Sequence, residues 1–254
     1  MYYKDEYEFM SDSGHEIEGI WYPRVTTIMD IKSKPALYHF YSAVGFANGE
    51  KIKEQSANEG TLVHEAIEAI LVGEEPIIDA SIEPSILAFK TFLEKTPIKT
   101  RPELIEQKII HKEYRYAGTA DAVVTIGDRL GILDIKTSKS IYRDYNLQTA
   151  AYFDVLKKDY PELSTRWIMR IDQVDVCEVC GATMRRKGGR DKITKPWPAQ
   201  KACSPANHVW KDTEGIVELK EFPGSHTNDF EAFLSAKRLW EWENEFWLKR
   251  IGYL

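Results

Sequence analysis

The sequence predicts an α/β (α+β) fold, a central sheet flanked by helices. Two observations predict it. Apolar residues recur at helical spacing through the first third of the 254-residue chain, then at strand spacing from residue 103 onward. The resulting order is helices, three consecutive strands, a helix, a strand, an aperiodic stretch, a strand and a last helix. A chain of this length suits one large domain with a small insert. We therefore expect a core over residues 1–174 and 210–254, helical over about 23–95, and an insert over 175–209.

The elements follow in order. Residues 15–22 read as a strand. After Pro23, residues 26–32 and 35–47 read as short helices. Residues 48–72 form a longer helix whose apolar face is Ile52, Leu62, Val63, Ala66, Ile67, Ile70 and Leu71, ended by Gly73 and Pro76. Ser81 or Glu83 to Leu93 is another helix. Residues 103–111, 114–126 and 130–136 are strands, broken by Gly118 and by the turn Gly127-Asp128-Arg129. Residues 144–159 are a helix closed by Pro161, and 165–174 and 215–220 are strands. The helix 227–249 carries a core-packing stripe of Phe230, Phe233, Leu234, Trp240 and Trp247.

Bulk properties narrow the class. No stretch reaches the 18 or more apolar residues that span a bilayer, so no membrane partner is expected. The N-terminus lacks a basic-then-apolar leader pattern, and three cysteines are too few for a disulfide framework, so a cytoplasmic protein is expected. Net charge is −6. It is unevenly spread: Arg185, Arg186, Lys187, Arg190, Lys192, Lys195 and Lys201, with the single acid Asp191, give one short segment +6 and leave −12 to the rest. Screening limits distant charges to about 8–10 Å, so such a patch can hold phosphate on an acidic protein.

The chemistry gathers on three segments. Asp121 precedes the run Ala-Val-Val, and Asp134-Ile135-Lys136 closes a strand. Alternation puts Asp134 and Lys136 on one face and Ile135 in the core, and a hairpin brings Asp121 alongside. Two carboxylates and the Ile135 carbonyl are hard oxygen ligands suited to Mg²⁺ or Mn²⁺. A metal and a lysine so placed suit phosphodiester hydrolysis. Asp-x-Lys alone is a common tripeptide. Its neighbours give it weight: Gly60-Thr-Leu-Val-His64 upstream, Gly118-Thr-Ala before Asp121, and Gln148 and Tyr152 on one face of the next helix. His64-Glu65-Ala66-Ile67-Glu68 begins like a zincin helix, but position 68 is Glu where that motif needs His.

With these elements in this order the chain resembles the PD-(D/E)XK nuclease superfamily, in its RecB-type exonuclease branch. The run Pro23-Arg-Val-Thr-Thr-Ile28 with Lys34-Pro-Ala-Leu37 is similar to phage-encoded members and to mitochondrial single-strand exonucleases. The resemblance covers roughly residues 22–172 and the last strand and helix. It implies a restriction-endonuclease-like core with a mixed sheet and a DNA exonuclease activity in recombination, repair or replication. It further implies Lys136 as the catalytic lysine, and His64, Asp121, Asp134 and the Ile135 carbonyl as Mg²⁺ or Mn²⁺ ligands. Gln148 and Tyr152 would orient the lysine or the DNA backbone, and Glu106 could hold a second metal or a water. The implied setting is a bacterial or phage-infected cell, with a recombination or replication protein as a further partner.

The insert carries its own pattern. Cys177-Glu-Val-Cys180 is followed after 22 residues, the first of them Gly181, by Cys203-x4-His208. Such pairs suit tetrahedral, structural Zn²⁺, with His208 or else His226 or a water as fourth ligand. The basic residues lie inside this loop with Trp197, which suggests a DNA-gripping appendage using Arg185, Arg186, Lys187, Arg190 and Lys192. Two other classes compete with the enzyme: a non-catalytic DNA-end or single-strand binding module, and a zinc-dependent adaptor. The intact Asp121, Asp134 and Lys136 set favours the enzyme.

Overall fold

The computed structural model describes residues 3–32, 34–223 and 225–254. Among them are eight α-helices, a two-stranded hairpin and a mixed eight-stranded sheet. None of the helices is long and apolar enough to cross a membrane.

Helix α1 (Glu6–Ser13) starts at Asp5, whose carboxylate accepts the Glu8 N–H at 2.9 Å. It was not anticipated. The stretch expected as one strand is a hairpin, β1 (Gly14–Ile17) and β2 (Ile20–Pro23). Its turn residues Glu18 and Gly19 both have positive φ, as a tight two-residue hairpin turn requires. Then come α2 (Val25–Met29), α3 (Pro35–Val44), α4 (Phe46–Leu71) and α5 (Glu83–Lys95). Short β3 (Ile98–Lys99) precedes β4 (Ile105–His111), β5 (Tyr116–Ile126) and β6 (Arg129–Lys136). Helix α6 (Asp144–Asp159) leads to β7 (Thr165–Val176), and the insert holds β8 (Thr183–Arg185) and β9 (Lys192–Thr194). β10 (Glu214–Pro223), α7 (Thr227–Glu243) and α8 (Glu245–Arg250) complete the chain. The last helix, expected as continuous, breaks at Asn244, whose side-chain amide donates to the Trp240 carbonyl at 2.8 Å.

The sheet runs β4–β5–β6–β7–β10, with β3 beside the far end of β5. All these pairs are antiparallel except β6–β7, which α6 joins as a parallel crossover. β10 lies along β7 from Thr165 to Val174, so the insert is a long excursion from a hairpin. Two apolar cores sandwich the sheet. One packs α2, α6, α7, Phe9 and Trp21 against Tyr116, Ala120, Val123 and Ile132. The other packs α4 and α5 against Ala122, Val124, Leu133, Ile135, Trp167 and Met169.

Candidate metal centres and catalytic cleft

The strands carrying the acidic residues are locally irregular. Ile105 pairs with Ala122 and Gln107 with Ala120, but Glu106 and Asp121 between them form no bridge. Glu106 has φ of 46°, a left-handed conformation uncommon outside glycine. The facing of the side chains switches there. Ala120 belongs to the α6-side core and Ala122 to the α4-side core, and Ile109 and Ile105 divide likewise. A regular strand keeps such residues on one face. The irregularity frees Asp121 from the ladder, and its Oδ2 accepts the Ile135 N–H at 2.6 Å.

On β6, Leu133 and Ile135 enter the α4-side core, while Asp134 and Lys136 share the other face. Asp134 is fully buried. The Lys136 ammonium donates to its Oδ1 at 2.9 Å and lies 2.8 Å from Oδ2, yet no hydrogen bond is directed at Oδ2. Helix α4 brings His64, whose Nδ1 is 3.7 Å from Asp121 Oδ2, with the Ile135 backbone beside the ring. The helix can approach because Gly60 has no side chain: a Cβ there would sit 2.9 Å from Thr137 Oγ1. The structure thus brings His64, Asp121, Asp134, Ile135 and Lys136 together where the middle of β5 meets the C-terminal end of β6.

Burial, and then the Lys136 charge, hold the His64 imidazole down to about 4, so the ring is neutral and free to ligate. Burial raises Asp134 to about 6 and raises Asp121 as well, against the pull of Lys136. Burial also works against the charge on Lys136, but Asp134 and Asp121 outweigh it and raise its pKa. The ammonium is the counter-ion of the two carboxylates.

Beside them is a cleft of about 440 Å³ lined by His64, Glu65, Glu68, Thr119, Asp121, Thr137 and Glu106. The sequence reading missed Glu65 and Glu68. Burial, Asp121 and Glu106 push the Glu68 carboxyl up to about 7. The available signal was its i,i+4 spacing from His64, which served only to dismiss a zincin helix. On α6, Gln148 donates to the Tyr152 hydroxyl at 3.1 Å, and both are buried. The Tyr152 ring lies against Gly118, where a Cβ would come within 2.9 Å of it. Tyr145, also unforeseen, sets its ring 5.2 Å from the Lys136 ammonium.

In the insert, the ligand atoms of Cys177, Cys180, Cys203 and His208 all lie within 4.8 Å of one another, so the four could hold a metal ion. The turn Cys177–Gly181 closes through the Gly181 N–H on the Cys177 carbonyl at 2.8 Å, with Gly181 at φ of 74°. Burial works to raise the Cys177 thiol. The His208 ring and the N–H groups of Cys180, Val209 and Val179 overcome it and bring the thiol down to about 6. His226 is elsewhere, 3.2 Å from Asp154 Oδ1, so His208 completes the set.

The basic segment differs from a projecting patch. The Arg185 Nε donates to both Asp172 oxygens at 2.7 and 2.8 Å, and its Nη2 donates to the Thr137 carbonyl at 2.8 Å. The Lys187 ammonium donates to the same carbonyl at 2.7 Å. Arg186 pairs with Asp175, and the Arg190 guanidinium lies 5.6 Å from the Phe40 ring centroid. Arg185 and Lys187 turn inward because a carboxylate and a strand-end carbonyl offer them partners, while Arg186 stays largely exposed. Lys192 has a lowered pKa from burial and then from Lys139, Arg190 and Arg185, the mark of a crowded cationic face. No protein-family model matches this chain, and no curated protein matches it.

Proposed function

We propose that the chain is a metal-dependent deoxyribonuclease with a restriction-endonuclease-like core of the PD-(D/E)XK type, acting as an exonuclease. One observation carries the reading. A wholly buried carboxylate, Asp134, has an oxygen to which no hydrogen bond is directed and which Lys136 approaches to 2.8 Å, and a second carboxylate, Asp121, itself 3.7 Å from His64, adds its charge nearby. Such an arrangement is costly unless a cation or a reaction uses it. The donor set fits a hard divalent ion: Asp121, Asp134, the Ile135 carbonyl and neutral His64 would hold Mg²⁺ or Mn²⁺, with Glu106 or Glu68 at the rim. When bound, the ion supplies Lewis acidity toward a phosphoryl oxygen and the attacking water.

The remaining roles belong to the chain itself. Lys136, kept cationic by its carboxylate neighbours, meets negative charge developing on the phosphate. Gln148 and Tyr152 buttress it from α6. Glu65, Glu68, Glu106 and Asp121 make the cleft strongly acidic, so DNA enters productively only with a cation. Lys139, Arg190 and Lys192 are the cations best placed to take backbone phosphates. The three thiols and one imidazole of the insert suit a structural Zn²⁺.

Digestion of labelled single-stranded, double-stranded and end-blocked DNA with Mg²⁺ tests the reading. Asp134→Ala and Lys136→Ala should each reduce the rate by about 100-fold or more. Activity that survives both substitutions refutes the assignment, and cutting of end-blocked substrates refutes the exonuclease part.

A further inference from the structure

Two structural elements carry the catalytic groups proposed above: α4 with His64, and β6 with Asp134 and Lys136. The tip of the insert, Lys187-Gly188-Gly189, touches both. On one side, the Lys187 ammonium and Arg185 Nη2 converge on the Thr137 carbonyl, one residue beyond Lys136. That carbonyl ends the β6–β7 ladder, whose last pair is Lys136 with Arg170. On the other side, the Gly188 N–H donates to both Glu59 oxygens at 3.2 Å. Gly188 and Gly189 press on α4 so closely that a Cβ on either would collide with Ile52, Ser56 or Gln55, and both have positive φ. Asp172 fixes Arg185 from β7.

We propose that Arg185 and Lys187 are positioning residues: through the Thr137 carbonyl they hold the end of β6, and with it Lys136, against α4. The insert is then a brace across the cleft, and the metal held by Cys177, Cys180, Cys203 and His208 keeps the brace folded. This role rests on the nuclease reading, but the contact itself does not. It also competes with the view that these cations grip DNA, since Arg185 and Lys187 already direct donors to the Thr137 carbonyl and Asp172 and are held in place by them.

The test uses the whole metal-loaded protein and Lys187→Met, with Lys187→Arg as the conservative variant. Lys187→Met should retain its insert metal and its far-ultraviolet circular dichroism. Its kcat should fall about 10- to 100-fold at nearly unchanged KM, as a displaced catalytic group causes. Lys187→Arg should recover most of that loss. Amide exchange over residues 134–138 should be faster in Lys187→Met than in the parent. A raised KM with a flattened salt dependence and an unchanged kcat would overturn the proposal in favour of DNA gripping. Unchanged exchange over 134–138 would overturn it whatever the kinetics show. If the parent itself cuts no DNA, the nuclease reading fails, and the exchange comparison still decides whether the brace exists.

Discussion

Glu68 stands one turn after His64 on α4, beside Glu65 and across the cleft from Asp121 and Glu106. Burial and these neighbours put its folded pKa near 7, above its ordinary 4.5. A raised carboxyl pKa leaves stability whole below pH 4.5 and removes it as pH rises through about 7. Without divalent metal, Glu68→Gln should therefore be more stable than the parent at pH 8, by about 1–2 kcal/mol after allowance for its partial exposure. At pH 4.5 the two should melt alike. Added Mg²⁺ should stabilise the parent more than the variant. Thermal melts in chelator and in Mg²⁺ at both pH values check this; a variant less stable than the parent at pH 8 contradicts it. At this scale the sequence was informative where chemistry follows from spacing. The alternation on β6 puts Asp134 and Lys136 on one face, and i,i+4 spacing joins Gln148 to Tyr152. It named Glu106 but was silent on its left-handed backbone, which nothing in a glutamate announces.

At the scale of elements, the long strands and helices were legible because their apolar period is long and consistent. The short helices α2 and α3 were legible too, but other short elements were not. Helix α1 has few apolar residues, β3 has two residues, and the hairpin β1–β2 hides its turn in Glu18-Gly19. The insert was legible as a candidate metal site, while the contacts of its tip were not, because Asp172, Glu59 and Thr137 are its partners only through the fold. Within it, β8 and β9 share just three residue pairs, too few to stand alone. Its order should therefore depend on the metal. In the purified protein the three thiols should be protected from a thiol reagent and accompanied by about one zinc per chain. Stripping the metal should expose all three and loosen the insert, while the β4–β7 sheet keeps its far-ultraviolet signal. Three thiols that titrate freely in the native protein, with no metal present, end the zinc assignment.

The whole molecule is closed by its ends. Phe9 from α1 is fully buried among Tyr3, Trp21, Trp240 and Trp247. Tyr253 packs its ring on Trp21, its hydroxyl donates to Glu241 at 2.8 Å, and the Arg115 guanidinium covers its face at 4.0 Å. This aromatic cluster ties the first and last helices to the α6-side core, opposite the α4-side core that carries His64. Phe9→Ala should cost about 3–5 kcal/mol in urea unfolding followed by tryptophan fluorescence. A loss below 1 kcal/mol would mean that the N-terminal helix contributes little to global stability. The fold class was legible at this scale. The division of labour between the cores was not, because the face each strand shows changes at Asp121, inside an apolar run that reads as uniform.

The neck of the insert bears on how the sheet is completed. Cys177 directly follows the last residue of β7, it bridges to Trp210, and the Lys211 N–H donates to the Val176 carbonyl at 3.0 Å. The metal ligands therefore sit where β7 and β10 first meet, not at the tip of the loop. Joining Cys177 to His208 closes a loop of about 30 residues, an entropic cost of about 3 kcal/mol that the strands must otherwise meet unaided. Until β10 is synthesised, the long edge of β7 has no partner and is open to pairing with other chains. An ion captured at the neck would hold residue 208 beside the end of β7, so that β10, when it follows, starts its ladder in register with Val174 opposite Glu214. If the neck does take a metal, its supply during synthesis should affect how much of the protein escapes aggregation, apart from any influence on the proposed active site.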